Sequence, residues 1–306
     1  MIDSKLDQAI AQRLRRHLAR SQATYCQWRV DGHVAGWIGP ARVHRLARFA
    51  DVFVVRDESL EFVETLATPE VRTAALDRVA HTLAREGALS PWRDERYAAA
   101  PTLGATPWFL LERAAARYFG IRSWAVHGNG MVEHRDGARM WLARRSPTKA
   151  TDPGMLDNLV GGGVSAGFDL RAAFVKEAWE EAGLPPDSAQ AAVHASTLHI
   201  VRDTATGLYD ESIAIYDIEL SREYVPASQD GEAVEHRCVS LPEAARLIAL
   251  KTGPDQVTLE ASLVVLDALV RMNCVDPHGA AATALAGFRP GAERSDGSRN
   301  GSGRRA

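Results

Sequence analysis

Glu177, Glu180 and Glu181 stand at i, i+3 and i+4 within residues 158–184, which read NLVGGGVSAGFDLRAAFVKEAWEEAGL. On a helix that spacing brings three carboxylates to one face. Like charges so placed cost about 0.2–0.5 kcal/mol per pair. A hard divalent cation removes the cost and turns the cluster into a site. Carboxylate oxygens at about 2.1 Å suit magnesium, which keeps waters and takes up substrate phosphates. Manganese accepts the same oxygen-rich sites. The bland alternative is a solvated acidic face, which glutamate clusters commonly are. The glycine-rich loop before the cluster and the Gly183 stop after it favour a site. Lys176 is the one basic residue beside the three acids.

The elements that must carry these residues follow from periodicity. Leu170, Phe174 and Ala178 fall at i, i+4 and i+8, so one stripe of a helix over 168–182 faces a core. Residues 123–127, 140–144, 195–202 and 212–220 have strand character, and 256–272 is helical. Residues 108–120, WFLLERAAARYFG, read as a helix closing at Gly120. Strands mixed with helices give an α/β or α+β sandwich. Ahead of it, 22–100 reads as a smaller α/β unit. It has helices over 40–50 and 69–86, the latter with Pro near its start and Gly87 past its end. DVFVVRD and LEFVE form a hairpin between them. Residues 98–107 carry Pro101, Gly104 and Pro107 and read as a linker. Leu6, Ile10, Leu14 and Leu18 mark an amphipathic N-terminal helix. The expected division is 1–105, 106–288 and a disordered Gly/Ser/Arg tail over 289–306.

The balance of 36 Lys and Arg against 39 Asp and Glu gives a net charge of −3. No basic stripe points to nucleic acid, and no apolar run is long enough to span a membrane. Cys26, Cys238 and Cys274 lack metal-ligand spacing and imply no disulfide framework. A cytoplasmic protein, free to form a homodimer, is expected.

The segment from Gly162 to Leu184 resembles the Nudix box, G-x5-E-x7-R-E-U-x-E-E-x-G-U, where U is a bulky aliphatic. Gly162 takes the first position, and the register to Lys176-Glu177-Ala178-Trp179-Glu180-Glu181-Ala182-Gly183-Leu184 holds without a gap. Three positions depart from it. Phe168 stands where the box has its first glutamate, Lys176 replaces arginine, and Ala178 is small for an aliphatic. The resemblance extends to ERAAARYFGI, ARMWLARRSPTKATDPGMLDNLVGGGVSAG, GLYDESIAIYDIEL and DGEAVEHRCVSL. These strings are similar to a Nudix subgroup with an N-terminal DUF4743 domain, which includes the Nudix portion fused to fission-yeast thiamine pyrophosphokinase.

That resemblance implies an α/β/α Nudix sandwich with a mixed sheet, preceded by a smaller α+β domain. It implies a magnesium-dependent (or manganese-dependent) hydrolase in which Glu177, Glu180 and Glu181 hold metal. It implies an acidic base from outside the box, Glu232 first and Glu235 second. The substrate it implies is thiamine diphosphate, especially its oxo- and oxy- forms. For a small diphosphate, Gly161 and Gly162 are expected at the phosphates with Arg144, Arg145 and Lys149 as their cations. Trp92 and Tyr97 are expected to stack on the ring. The N-terminal unit, through Trp28, Trp37, Trp92 and Tyr97, is expected to shape substrate choice. Two rivals stay open: another nucleotide-type diphosphate, and a degenerate domain that binds without cleaving, for which Phe168 and Lys176 speak.

Overall fold

A computed structural model describes residues 1–18, 25–56, 59–89 and 91–291. The chain opens with α1 (Ser4–Leu18). A first sheet follows, built from β1 (Cys26–Val30), β2 (His33–Ile38), β3 (Phe53–Arg56) and β4 (Ser59–Phe62), with α2 (Pro40–Leu46) after β2. Its order is β2-β1-β4-β3, with β1 and β4 parallel and the other pairs antiparallel. The β3–β4 pair is the expected hairpin; its residues 57 and 58 lie outside the described residues. Helix α3 (Pro69–Arg85) covers this sheet. Thr68 caps it by accepting from the Val71 N–H, and Pro69 sits in its first turn, where a missing N–H costs nothing. Its buried stripe is Ala75, Leu76, Val79, Ala80 and Leu83, the spacing of one helix face.

Trp28 is the centre of that first core. Its ring lies 4.7 Å from Phe109, 4.9 Å from Phe119, 5.5 Å from Phe62 and 6.2 Å from Phe53. Phe109 belongs to a two-stranded ribbon of β5 (Arg96–Ala99) and β6 (Phe109–Glu112). Residues 108–120 are therefore not one helix. Only Ala116–Phe119 is α-helical (α4), after a 3-10 turn at Arg113–Ala115. Phe109 and Leu111 are both buried. Pairing with β5 selects the two-residue period that the short run also satisfies. The Pro and Gly of 98–107 serve the loop of this ribbon, closed by the Trp108 N–H on the Ala99 carbonyl at 2.8 Å. The expected linker is thus an internal turn, and the first core runs on to Ile121.

The large sheet takes β7 (Arg122–Val132), β8 (Arg139–Arg145), β9 (Leu156–Asn158), β10 (Val160–Gly163), β11 (Val193–Thr204), β12 (Gly207–Leu220) and β13 (Ala233–Ser240). Its path is β11-β12-β7-β8-β13, with β10 added to β7 and β9 to β8. The long β7–β12 pair is parallel and the rest are antiparallel, so the sheet is mixed. Successive residues feed opposite layers, as the strand period demands. Ala125, Ile213 and Ile215 face α7 (Leu241–Ala249), α8 (Leu259–Arg271) and α9 (Ala280–Ala286). Val126, Ala214 and Tyr216 face α5 (Leu170–Ala182) and α6 (Pro186–Gln190). This is the expected α/β/α sandwich.

Helix α1 packs on that sandwich and not on the first sheet. Ile10, Ala11 and Leu14 join the α8–α9 core. Arg13 reaches the Ile248 carbonyl at 2.5 Å and the Ser262 hydroxyl at 2.9 Å. Residues 1–105 are therefore not one structural unit: the apolar stripe of α1 finds the larger core. The expected disordered tail lies outside the described residues from 292 onward. Among the described residues no helix is long and apolar enough to cross a membrane.

Candidate functional site

The glycine-rich segment is a strand rather than a loop. Val160–Gly163 pairs antiparallel with β7, from Val160 opposite Gly128 to Gly163 opposite Ala125. Missing side chains let other groups approach. A Cβ on Gly162 would lie 2.2 Å from the Glu177 carboxyl carbon, and one on Gly163 would lie 2.0 Å from the Tyr97 hydroxyl. Helix α5 starts at Asp169, whose side chain accepts from the Ala172 N–H at 2.7 Å. Its buried face is Ala173, Phe174, Ala178 and Ala182, with Phe174 against Tyr216 at 4.5 Å.

The three glutamates of α5 are not equivalent. At roughly 100° per residue, Glu181 lies about 40° to one side of Glu177 and Glu180 about 60° to the other. Glu181 is 8% exposed, and its Oε2 accepts from the Gly161 N–H at 2.7 Å. Burial pushes its proton affinity up to about 8, helped by the charges of Asp157 and Glu177 and opposed by Lys149. Burial also raises Glu177, against the pull of Lys176. Glu180 lies nearer solvent. Lys176 spans the two, with Nζ 3.0 Å from Glu177 Oε1 and 2.6 Å from Glu180 Oε2. Among the described residues, no three His, Cys, Asp or Glu side chains are arranged as a ready metal-holding group. Expected convergence of all three is not met as the side chains stand: the Lys176 ammonium draws Glu177 and Glu180 one way and the Gly161 N–H draws Glu181 the other.

A cavity of about 520 Å³ opens beside this cluster. Gly161, Gly162, Gly163, His127 and Asp157 form one wall. Arg145, Lys149 and Glu232 form another, while Arg93, Tyr97, Arg113 and Arg117 come from the first unit. Lys149 is ion-paired with Glu232. Arg145 holds Asp157 at 2.6 Å and the Thr151 carbonyl at 3.0 Å. Burial lowers the Lys149 pKa, with Glu181 opposing it.

Three expected residues, Arg144, Glu235 and Trp92, lie elsewhere. Arg144 is next to Arg145 on β8, and strand alternation sends it to the other face. There it bonds Glu235 at 2.5 Å, Asp255 at 2.7 Å and the carbonyls of Gly154 and Pro254. Glu235 is also held by Arg237 at 2.7 Å, so the second candidate base faces this network. Trp92 lies tilted against His81, with ring centres 4.3 Å apart, and donates to Asp94 at 2.7 Å; it does not line the cavity. Tyr97 does line the cavity, with the Arg113 guanidinium 5.6 Å from its ring centre. Sequence reasoning missed Asp157, Arg113, Arg117 and His127. Arg113 and Arg117 had a signal in their i, i+4 spacing ahead of β7; Asp157 had only its nearness to the glycines.

The donors fit a divalent cation chemically. Hard carboxylate oxygens are concentrated in a buried place where their mutual repulsion already favours taking up positive charge. Asp157 adds a third acid beside Glu177 and Glu181.

Comparison with known proteins gives the family. The NUDIX domain family matches residues 128–260, and the family described as a domain of unknown function, DUF4743, matches residues 8–123. Nudix hydrolase 24, chloroplastic, of Arabidopsis thaliana is 33% identical over 252 residues, spanning 81% of this chain and 68% of that protein. Nudix hydrolase 20, chloroplastic, of the same plant is 33% identical over 259 residues, with the same shares. An uncharacterized protein of Saccharomyces cerevisiae is 30% identical over 224 residues, 68% of this chain and 64% of that one. A solved Ap4A hydrolase of C. elegans covers 50% of this chain and 99% of its own, at 12% identity and a TM-score of 0.38. Nudix hydrolases generally use divalent ions such as magnesium or manganese. With the box strand, its acidic helix and a DUF4743 domain ahead of them, this chain belongs to the Nudix hydrolase family and is a pyrophosphohydrolase acting on acid anhydrides.

Proposed function

We propose that the chain hydrolyses thiamine diphosphate, above all its oxidised oxo- and oxy- forms, to the monophosphate and phosphate, with magnesium or manganese as the ion. The observation that carries a small organic diphosphate is the 520 Å³ cavity, which joins Asp157 and the β10 glycines to a ring of cations. Its size is in the range of about 300–1,000 Å³ that holds compact ligands. The thiamine part rests on the subgroup resemblance.

Glu177, Glu181 and Glu180 hold the ion in this reading. When bound, the ion neutralises phosphate charge and makes a coordinated water more acidic. Gly161 and Gly162 line the cavity that takes the diphosphate in this reading, their missing side chains making room for His127 and Glu177. Arg145 and Lys149 bond its oxygens. As Lys149 turns to phosphate it frees Glu232, which accepts the proton of the attacking water. Lys176, which pairs with Glu177 and Glu180, gives up Glu177 to the ion and stays on Glu180. Tyr97 flanks the ring. A reducing cytosol suits three cysteines that form no disulfide.

The test is phosphate release by the full chain in magnesium from thiamine diphosphate, its oxo- and oxy- forms, ADP, ADP-ribose and coenzyme A. The highest kcat/KM should fall on the oxidised thiamine diphosphates. A preference for a nucleotide overturns the substrate. Tight calorimetric binding without release from any of them assigns a binding domain instead.

A further inference from the structure

We propose that Glu95 is a positioning residue for the Nudix box: from the N-terminal unit it supplies the carboxylate that the box lacks at position 168. The inference rests on the hydrolytic reading of this site. Phe168, where the box has its first glutamate, is 41% exposed and brings no charge. It closes the turn before α5, its N–H donating to the Ser165 carbonyl at 3.1 Å. The Ser165 hydroxyl in that same turn donates to Glu95 Oε1. One residue on, the Ala166 N–H donates to the Arg96 carbonyl at 2.8 Å. The turn that sets α5 is thus fastened from outside its own domain.

Glu95 is itself held. Arg113 bonds its Oε2 at 2.6 Å, and the Arg113 N–H bonds its carbonyl at 2.8 Å. The buried Glu112 carboxylate accepts from the N–H groups of Arg93 and Ala114, at 2.9 and 3.1 Å, and so fixes the turn that presents Arg113. Tyr97, two residues after Glu95, places its hydroxyl in the gap left by Gly163. Burial alone would raise the Glu95 pKa; Arg113, Ser165 and the nearby Lys176 lower it. Glu95 therefore carries charge beside the one cation that bridges Glu177 and Glu180. Two departures from the box bear on this carboxylate: the turn that ends at Phe168 is tied to it through Ser165, and the Lys176 charge acts on it.

Three full-chain variants decide it, each read by manganese titration with electron paramagnetic resonance, by kcat and KM, and by melting temperature. Glu95→Ala removes the hydrogen bond and the charge. Glu95→Gln keeps an acceptor for Ser165 and removes only the charge. The third is Glu95→Ala combined with Phe168→Glu. The expected result is that both single variants lose roughly tenfold in manganese affinity and in kcat, the low end for partners that orient metal ligands. KM should hold steady, and the melting temperature of Glu95→Gln should stay near wild type. Phe168→Glu should restore most of the loss. Wild-type affinity and kcat in Glu95→Gln overturn the proposal. So does a kcat loss that only follows a fall in melting temperature, or a double variant no better than Glu95→Ala. Loss of kcat across all variants and wild type alike, with manganese affinity still split, faults the hydrolytic reading and leaves Glu95 in place.

Discussion

The first sheet and the cavity behind the box are built on opposite principles. Trp28 and four phenylalanine rings bury one another, and the Trp28 indole N–H has no partner among the described residues. Around the buried Glu181, the acids Asp157 and Glu177 and the cation Lys149 crowd together beside the cavity. The first region gains stability from apolar burial and cohesion. The second gives stability up, because charges out of water are costly unless something compensates them. Trp28, Phe53, Phe62, Phe109 and Phe119 are used up in the first core. The first unit offers the cavity Arg93, Arg113, Arg117 and Tyr97, so it shapes the site with charge far more than with stacking.

Substitutions should separate the two regions. Trp28→Ala should cost about 3–5 kcal/mol in a denaturant titration, the range for deleting a buried large aromatic. Below its melting point it should keep kcat. A variant of normal stability and lost activity would break the contrast. Glu181→Gln should cut kcat by on the order of 10²–10³, the scale of one lost preorganised charge contact. Its metal-free stability at pH 8 should equal or exceed wild type, since a repelled buried charge is gone. A destabilised Glu181→Gln protein with full turnover would reverse the assignment.

The pH dependence sharpens this further. Glu181 binds a proton more tightly folded, at about 8, than at its ordinary 4.5. The raised value means that its stabilising effect is complete below the unfolded value and is lost as pH rises toward 8. Without divalent ions the melting temperature should therefore fall across that window. Magnesium should raise it more at pH 8 than at pH 5, because binding favours the folded state and competes with the proton. An equal magnesium shift at both values would detach Glu181 from the ion. The smallest effect is expected at Trp92→Ala, whose KM should stay within about twofold of wild type, because contacts away from a ligand contribute little to its binding.

The box itself was legible because it has a fixed register. Gly162, Glu177, Glu180, Glu181 and Gly183 could be aligned by counting, and the stripe of Phe174 and Ala178 located the core face of α5. The α3 boundaries followed, to within a residue, from Pro69 and Gly87. What failed was decided by partners distant in sequence. The glycines of β10 have little strand propensity, and only pairing with β7 makes them a strand. Residues 109–111 satisfied helix and strand periods alike until β5 selected one. Arg144 and Arg145 differ by one residue, and one pleat sends them to opposite faces. Asp157 and Glu95 carry no spacing signal, since each meets the box through tertiary contact.

The central claim is that the buried carboxylates of α5 are the ion site, although Lys176 now bridges two of them. It is tested most directly by a crystal of the full chain grown with manganese, with anomalous differences collected at the manganese edge. The account predicts a peak at about 2.2 Å from carboxylate oxygens of both Glu177 and Glu181, with Lys176 displaced from Glu177. A peak away from both residues, or none at saturating manganese, would contradict it.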